Sequence, residues 1–167
     1  MPDFVIYPHP ALSTPAKRRP LDRAMLDAGE RLLAAAQDVG AYGLAAAHLG
    51  LIEPVIVVSV AADPAQRDYR VMYIPRASAV ATETASGAEG SVSMPGVEVP
   101  VSRPVWAEIV YESADDVTQT LRLDGFPARV ALHEIDQMEG FFFLARLSRL
   151  KREAAIRKFQ KSQRQHG

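Results

Sequence analysis

The chain has 167 residues, 48% of them hydrophobic and 23% charged, a length and balance that suit one globular domain and exclude a collagen-like repeat, a pure coiled coil or a mostly disordered chain. It contains no cysteine, which removes disulfide frameworks, thiolate zinc ribbons, cysteine-held iron–sulfur clusters and a cysteine nucleophile. The net charge of −1 hides an asymmetry: residues 146–167 hold eight basic side chains against one acid, a local net of +7, so the remainder carries −8.

The first twenty residues contain five prolines and read as extended chain and turns. Leu21, Met25, Ala28, Leu32 and Ala36 recur at helical spacing and predict a helix through Gln37, with Gly40 as its stop. The β-branched run 54–60 predicts a buried strand, and the alternation over 70–74 its partner across a turn at Asp63-Pro64. Residues 75–103, rich in Ala, Ser, Gly, Pro and Thr, read as loop-dominated. Residues 105–111 and 119–123 predict a hairpin around Ala114-Asp115-Asp116. Pro127 suits the first turn of a helix over 128–139 that Gly140 ends. Phe141, Phe142 and Phe143 suggest a short buried strand, and a basic helix is expected from Ser148 onward. Its Leu147, Leu150, Ala154 and Phe159 would seat it on the body and leave Lys151, Arg152, Arg157, Lys158 and Lys161 in water. The opening residues lack a basic segment followed by an apolar one, and no apolar run nears the ~20 residues of a membrane span. A cytoplasmic protein with neither membrane nor DNA as partner is expected, and Tyr42, Trp106 and the three phenylalanines read as core or pocket wall.

One segment carries chemistry: Ala131-Leu132-His133-Glu134-Ile135-Asp136-Gln137. On a helix His133 and Gln137 share a face, with Glu134 beside His133. That is the frame of the H-E-x-x-H motif, in which two histidines hold a metal and the glutamate is a general base. The second histidine is glutamine here, and by itself the segment also fits a surface His–Glu pair on an ordinary helix.

Two further segments precede it in order: Gly43-Leu44-Ala45-Ala46-Ala47-His48-Leu49-Gly50 and Glu89-Gly90-Ser91-Val92-Ser93-Met94-Pro95-Gly96, with 42 residues from Ser91 to His133. Together the three resemble the signature motifs of the peptide deformylase family, approximately G-x-G-L-A-A-x-Q, E-G-C-L-S and Q-H-E-x-D-H. Pro8-His9-Pro10-Ala11-Leu12, Arg103-Pro104 and Arg146-Leu147-Ser148 extend the resemblance over nearly the whole chain. It implies a single α+β domain over residues 1–167, with mixed or antiparallel β structure around the His133 helix and a basic C-terminal helix over 148–165.

The resemblance also implies an activity, removal of the N-formyl group from the N-terminal methionine of nascent chains. In the family a metal-bound water attacks the formyl carbon, the motif glutamate shuttles the proton, and the motif glutamine with a backbone N–H steadies the oxyanion. Carried over by position, Glu134 is the base, His133 the first metal-ligating histidine and Val92 the backbone donor. Tyr42, Gly43, Glu89, Gly90, Arg129 and Val130 would wall the substrate pocket. Three positions depart from the pattern: Ser91 stands for the cysteine, Gln137 for the second histidine and His48 for the glutamine. A hydroxyl and an amide are weak ligands. If a zinc site is worth about 10–16 kcal/mol, losing two strong ligands weakens it by about 6 kcal/mol, or roughly 10⁴-fold.

The expectation is therefore a divergent homologue with a degraded metal site, no tightly bound cofactor, and weak or absent deformylation. Its pocket would still suit formyl-methionyl peptides and nascent N-termini. One alternative is an active enzyme holding one divalent iron, zinc or nickel ion through His48 and His133. Another is a module that reaches the ribosome through the basic C-terminal helix.

Overall fold

The protein is represented by a computed structural model, which describes residues 2–166. The first long helix, α1 (Arg23–Val39), begins where the Asp22 side chain accepts the Met25 N–H at 3.0 Å and ends at Gly40, whose φ of 65° only glycine adopts freely. Seven strands follow: β1 (Gly43–Ala45), β2 (Val55–Ser59), β3 (Tyr69–Val80), β4 (Thr84–Glu89), β5 (Val99–Pro104), β6 (Trp106–Glu112) and β7 (Thr118–Asp124). Helix α2 (Phe126–Met138) carries the third motif, and α3 (Arg149–His166) closes the described chain.

The strands form a five-stranded sheet in the order β1-β2-β3-β6-β7 and a two-stranded β4-β5 ribbon, with every pairing antiparallel. Strand β2 is buried throughout because both its faces are covered. Its Val55 and Val57 meet Met25 and Leu32 of α1, while Ile56 and Val58 join Ile109 and the Ala131 and Ile135 face of α2. A third cluster gathers Leu12, Met94, Val97, Phe142 and Phe143 with Ala155 and Phe159 of α3.

Three expectations require correction. Residues 75–103 are not loop-dominated: β3 runs on to Val80, and β4 and β5 fill much of the rest. The strand expected over 70–74 is the first half of β3, and Pro75, which lacks an N–H, masks the rest; Ile74 turns to a φ of 50° and the ladder shifts register between Tyr73 and Arg76 before resuming. Phe141, Phe142 and Phe143 form no strand, since Phe143 opens a 3-10 turn (Phe143–Arg146) and Phe141 is 54% exposed. On α3, Ala155, Ile156 and Phe159 do the seating, whereas Ala154 is exposed and Leu150 stands 75% exposed. Among the described residues no helix is long and apolar enough to cross a membrane.

Candidate active site

The three motifs converge on one cavity of about 360 Å³. Tyr42, Gly43 and His48 enter it from the first motif, Glu89, Gly90, Ser91 and Val92 from the second, and Arg129, Val130, His133 and Glu134 from α2. The α2 residues share one face because they recur at steps of one turn. Strand β1 lies flat against that face through Gly43, where a Cβ would come within 2.6 Å of Val130 Cγ1 and 3.1 Å of Glu134 Cγ. Gln137, the remaining residue singled out by sequence, does not line the cavity. It is buried and its Nε2 donates to the Leu12 carbonyl at 2.8 Å, tying α2 to the N-terminal segment.

Glu89 is the best-satisfied group. The Arg103 guanidinium donates to both its oxygens at 2.9 Å, Arg129 donates at 2.8 Å, and the Nδ1–H of His133 reaches Oε1 at 2.8 Å. Arg103 continues to Asp136 at 2.7 Å, and Arg146 closes on both Asp136 oxygens at 2.9 and 2.7 Å. Asp136 is thus a buried anchor for two arginines. Burial alone would raise the Glu89 carboxyl, but the Arg103 and His133 hydrogen bonds overcome this and hold it at about 2. His133 moves upward: burial disfavours its cation, yet Glu134 and Glu89 beside it outweigh burial.

Arg129 has a second task. Its guanidinium donates to the carbonyls of Ala85 on β4 and Val101 on β5, both at 2.7 Å, which clamps a ribbon whose Ala, Ser and Gly content gives it little propensity of its own. Gly87 makes room, because a Cβ there would meet that guanidinium at 2.9 Å.

The floor is wired differently. His48 Nδ1 accepts the Ala45 N–H at 3.0 Å, so a neutral His48 carries its proton on Nε2, which faces Ser91 Oγ at 3.5 Å. Burial, with His133 nearby, pushes His48 down to about 3. Ser91 Oγ also accepts the Ser93 N–H at 3.1 Å. Glu134 is 5% exposed and lies 3.8 Å from His48 Nδ1, beyond hydrogen-bond reach. Its Oε1 is buried without a partner, and burial raises the carboxyl to about 7.

This geometry limits the chemistry. A serine nucleophile needs an imidazole lone pair to take its proton, but His48 points an N–H at Ser91 and holds protons weakly. His133, oriented by Glu89 through Nδ1, keeps Nε2 as a lone-pair donor when neutral. Among the described residues no group of three or more His, Asp or Glu side chains converges to hold a metal ion. Sequence reasoning missed three residues. Phe126 and Glu98 line the cavity, and Arg146 braces Asp136. Phe126 stacks edge-on against Tyr42 at 4.8 Å. Only Arg146 was signalled, by its place after the third motif.

Comparison with known proteins agrees with this arrangement. The sequence model of the family described as Polypeptide deformylase matches residues 1–153. A peptide deformylase-like protein of Rhizobium meliloti is 36% identical over 95% of this chain and 91% of its own. A peptide deformylase of Agrobacterium fabrum is 31% identical over 96% and 95%. The crystal structure of peptide deformylase from Ehrlichia chaffeensis superposes with a TM-score of 0.89, covering 99% of this chain and 98% of that one at 23% identity. With its three motifs folded around one cavity and these likenesses along its length, the chain belongs to the polypeptide deformylase family.

Proposed function

We propose that this chain receives peptide N-termini in the cavity but supports little or none of the metal-dependent hydrolysis of its family. The observation that carries the reading is the donor set. Where two strong ligands would accompany His133 there are a serine hydroxyl and a glutamine carboxamide, both weak neutral donors; the carboxamide Nε2 donates to Leu12 O, and its Oε1, buried without a partner among the described residues, belongs to a side chain that does not line the cavity. His48 does not compensate, since binding an ion through Nε2 would place a proton on Nδ1, against the Ala45 N–H. These residues do not fit a tightly held divalent ion. What the chain keeps is a binding pocket. Tyr42, Val92, Phe126 and Val130 offer apolar surface to a first side chain, and Ser91 and Glu134 lie beneath.

The test is a formyl-methionyl peptide hydrolysis assay on purified protein, with and without added iron, zinc or nickel. Turnover near background in every case, with saturable peptide binding, agrees with the proposal. Metal-stimulated turnover at the rate of a competent family member contradicts it.

A second reading concerns α3, whose exposed Lys151, Arg157, Lys158, Lys161 and Arg164 oppose the buried Ala155 and Phe159. We propose that this face meets the phosphates of the ribosome, where nascent chains emerge. Co-sedimentation should fall steeply from about 50 to 200 mM salt and vanish when Lys151, Lys158 and Lys161 become glutamate. Salt-insensitive association, or none at low salt, contradicts it.

A further inference from the structure

Building on the reading of this cavity as a peptide N-terminus site, we infer that it is selective for a free α-ammonium terminus over an N-formylated one. Among the described residues no charged arginine or lysine lies within ion-pair distance of the Glu134 carboxylate, and His133 beside it acts on it only at longer range. Glu134 Oε1 is buried without a hydrogen-bond partner among the described residues, in a side chain that is 6% exposed. Oε2 lies on the Gly43 side, 3.2 Å from where a Cβ would stand.

The neighbouring cations are engaged elsewhere. Arg103 faces Glu89 and Asp136, Arg129 faces Glu89 and the β4 and β5 carbonyls, and the His133 Nδ1–H faces Glu89. His48 offers no proton to Glu134, because its Nδ1 accepts from Ala45 and its Nε2 faces Ser91. The other unpaired charge on the cavity wall among the described residues is also acidic, the exposed Glu98.

A buried acceptor without a donor is costly, and a ligand that brings both N–H groups and positive charge relieves it most. A terminal ammonium brings three N–H donors. A formamide brings one N–H and no charge, and its carbonyl can take a donor from the Ser91 hydroxyl, the His48 Nε2–H or the Val92 N–H on the cavity wall. The charge of the carboxylate therefore favours the amine.

Isothermal titration at one neutral pH with methionyl-alanyl-serine, in free-amine and formylated forms, tests this directly. The free amine is expected to bind about tenfold or more tightly. Glu134→Gln, which keeps the shape and removes the charge, should bring the ratio near one, whereas Glu98→Gln at the exposed wall should change it far less. Equal or tighter binding of the formyl peptide would overturn the inference while leaving the cavity a peptide site, with the Ser91 hydroxyl as its reader. Persistence of the preference in Glu134→Gln would overturn it too. Binding of neither peptide would overturn both the selectivity and the reading beneath it. Should Glu134→Gln fail to fold, the wild-type ratio still decides.

Discussion

Two carboxylates line the same cavity and have opposite fates. Glu89, on β4, receives four hydrogen bonds from two arginines and a histidine and is held at about 2. Glu134, on α2, has its buried Oε1 unpartnered among the described residues and is raised to about 7. Both are buried, so burial cannot be the difference. Partners are. A saturated group is part of the scaffold, and an unsatisfied one in the same wall is where an incoming group gains most.

Breaking the saturated side should have the largest effect. Glu89→Ala leaves Arg103 buried with Asp136 alone, takes the carboxylate from Arg129 and leaves His133 Nδ1–H unpaired, so a loss of about 3–5 kcal/mol is expected by urea denaturation. Glu134→Gln should stay within about 1 kcal/mol of wild type in the same experiment, because no bond is broken.

The pH dependence sharpens the contrast through sign. Glu89 falls from an ordinary 4.5 to about 2, so its contribution is complete above 4.5 and is lost as pH falls toward 2. Glu134 rises from 4.5 to about 7, so its contribution is complete below 4.5 and is lost as pH rises through about 7. His48 falls from 6.5 to about 3, so its contribution is present above 6.5 and is lost as pH falls below it. Between pH 4.5 and 6.5 the Glu134 and His48 slopes oppose each other, so thermal melts should be nearly level there and fall above pH 6.5. Glu134→Gln should leave stability rising with pH up to about 6.5, and His48→Gln should leave it falling from pH 4.5 to about 7.

Gln137→Ala comes next, with about 1–2 kcal/mol lost as the Leu12 carbonyl goes unpaired and a small void opens. The smallest effect is expected for Leu150→Ala, within about 0.5 kcal/mol, because a side chain that is 75% exposed has little packing to lose.

Which of these features the sequence discloses follows from how local their causes are. The α1 stripe and the all-apolar β2 declare themselves, since each is set by burial of its own side chains. Strands β4 and β5 do not, because they are clamped by Arg129, 44 residues along the chain from its β4 contact and 28 from its β5 contact. The motifs name nine of the sixteen residues on the cavity wall, yet not that Gln137 bonds a carbonyl 125 residues distant instead of facing the cavity. Nor do they disclose that Ala45 sets the proton of His48, a backbone contact that side-chain identity does not encode. Spacing alone puts Leu150 on the seating stripe of α3, but a stripe is buried only where the body meets it, and there Leu150 stands in solvent.

Metal content tests the central claim most directly. Protein incubated with a slight excess of zinc, iron or nickel, passed through gel filtration in metal-free buffer and subjected to elemental analysis should retain far less than one ion per chain. Restoring Ser91→Cys, Gln137→His and His48→Gln together should raise that toward one. An unmodified chain that emerges with one tightly held ion would contradict the account.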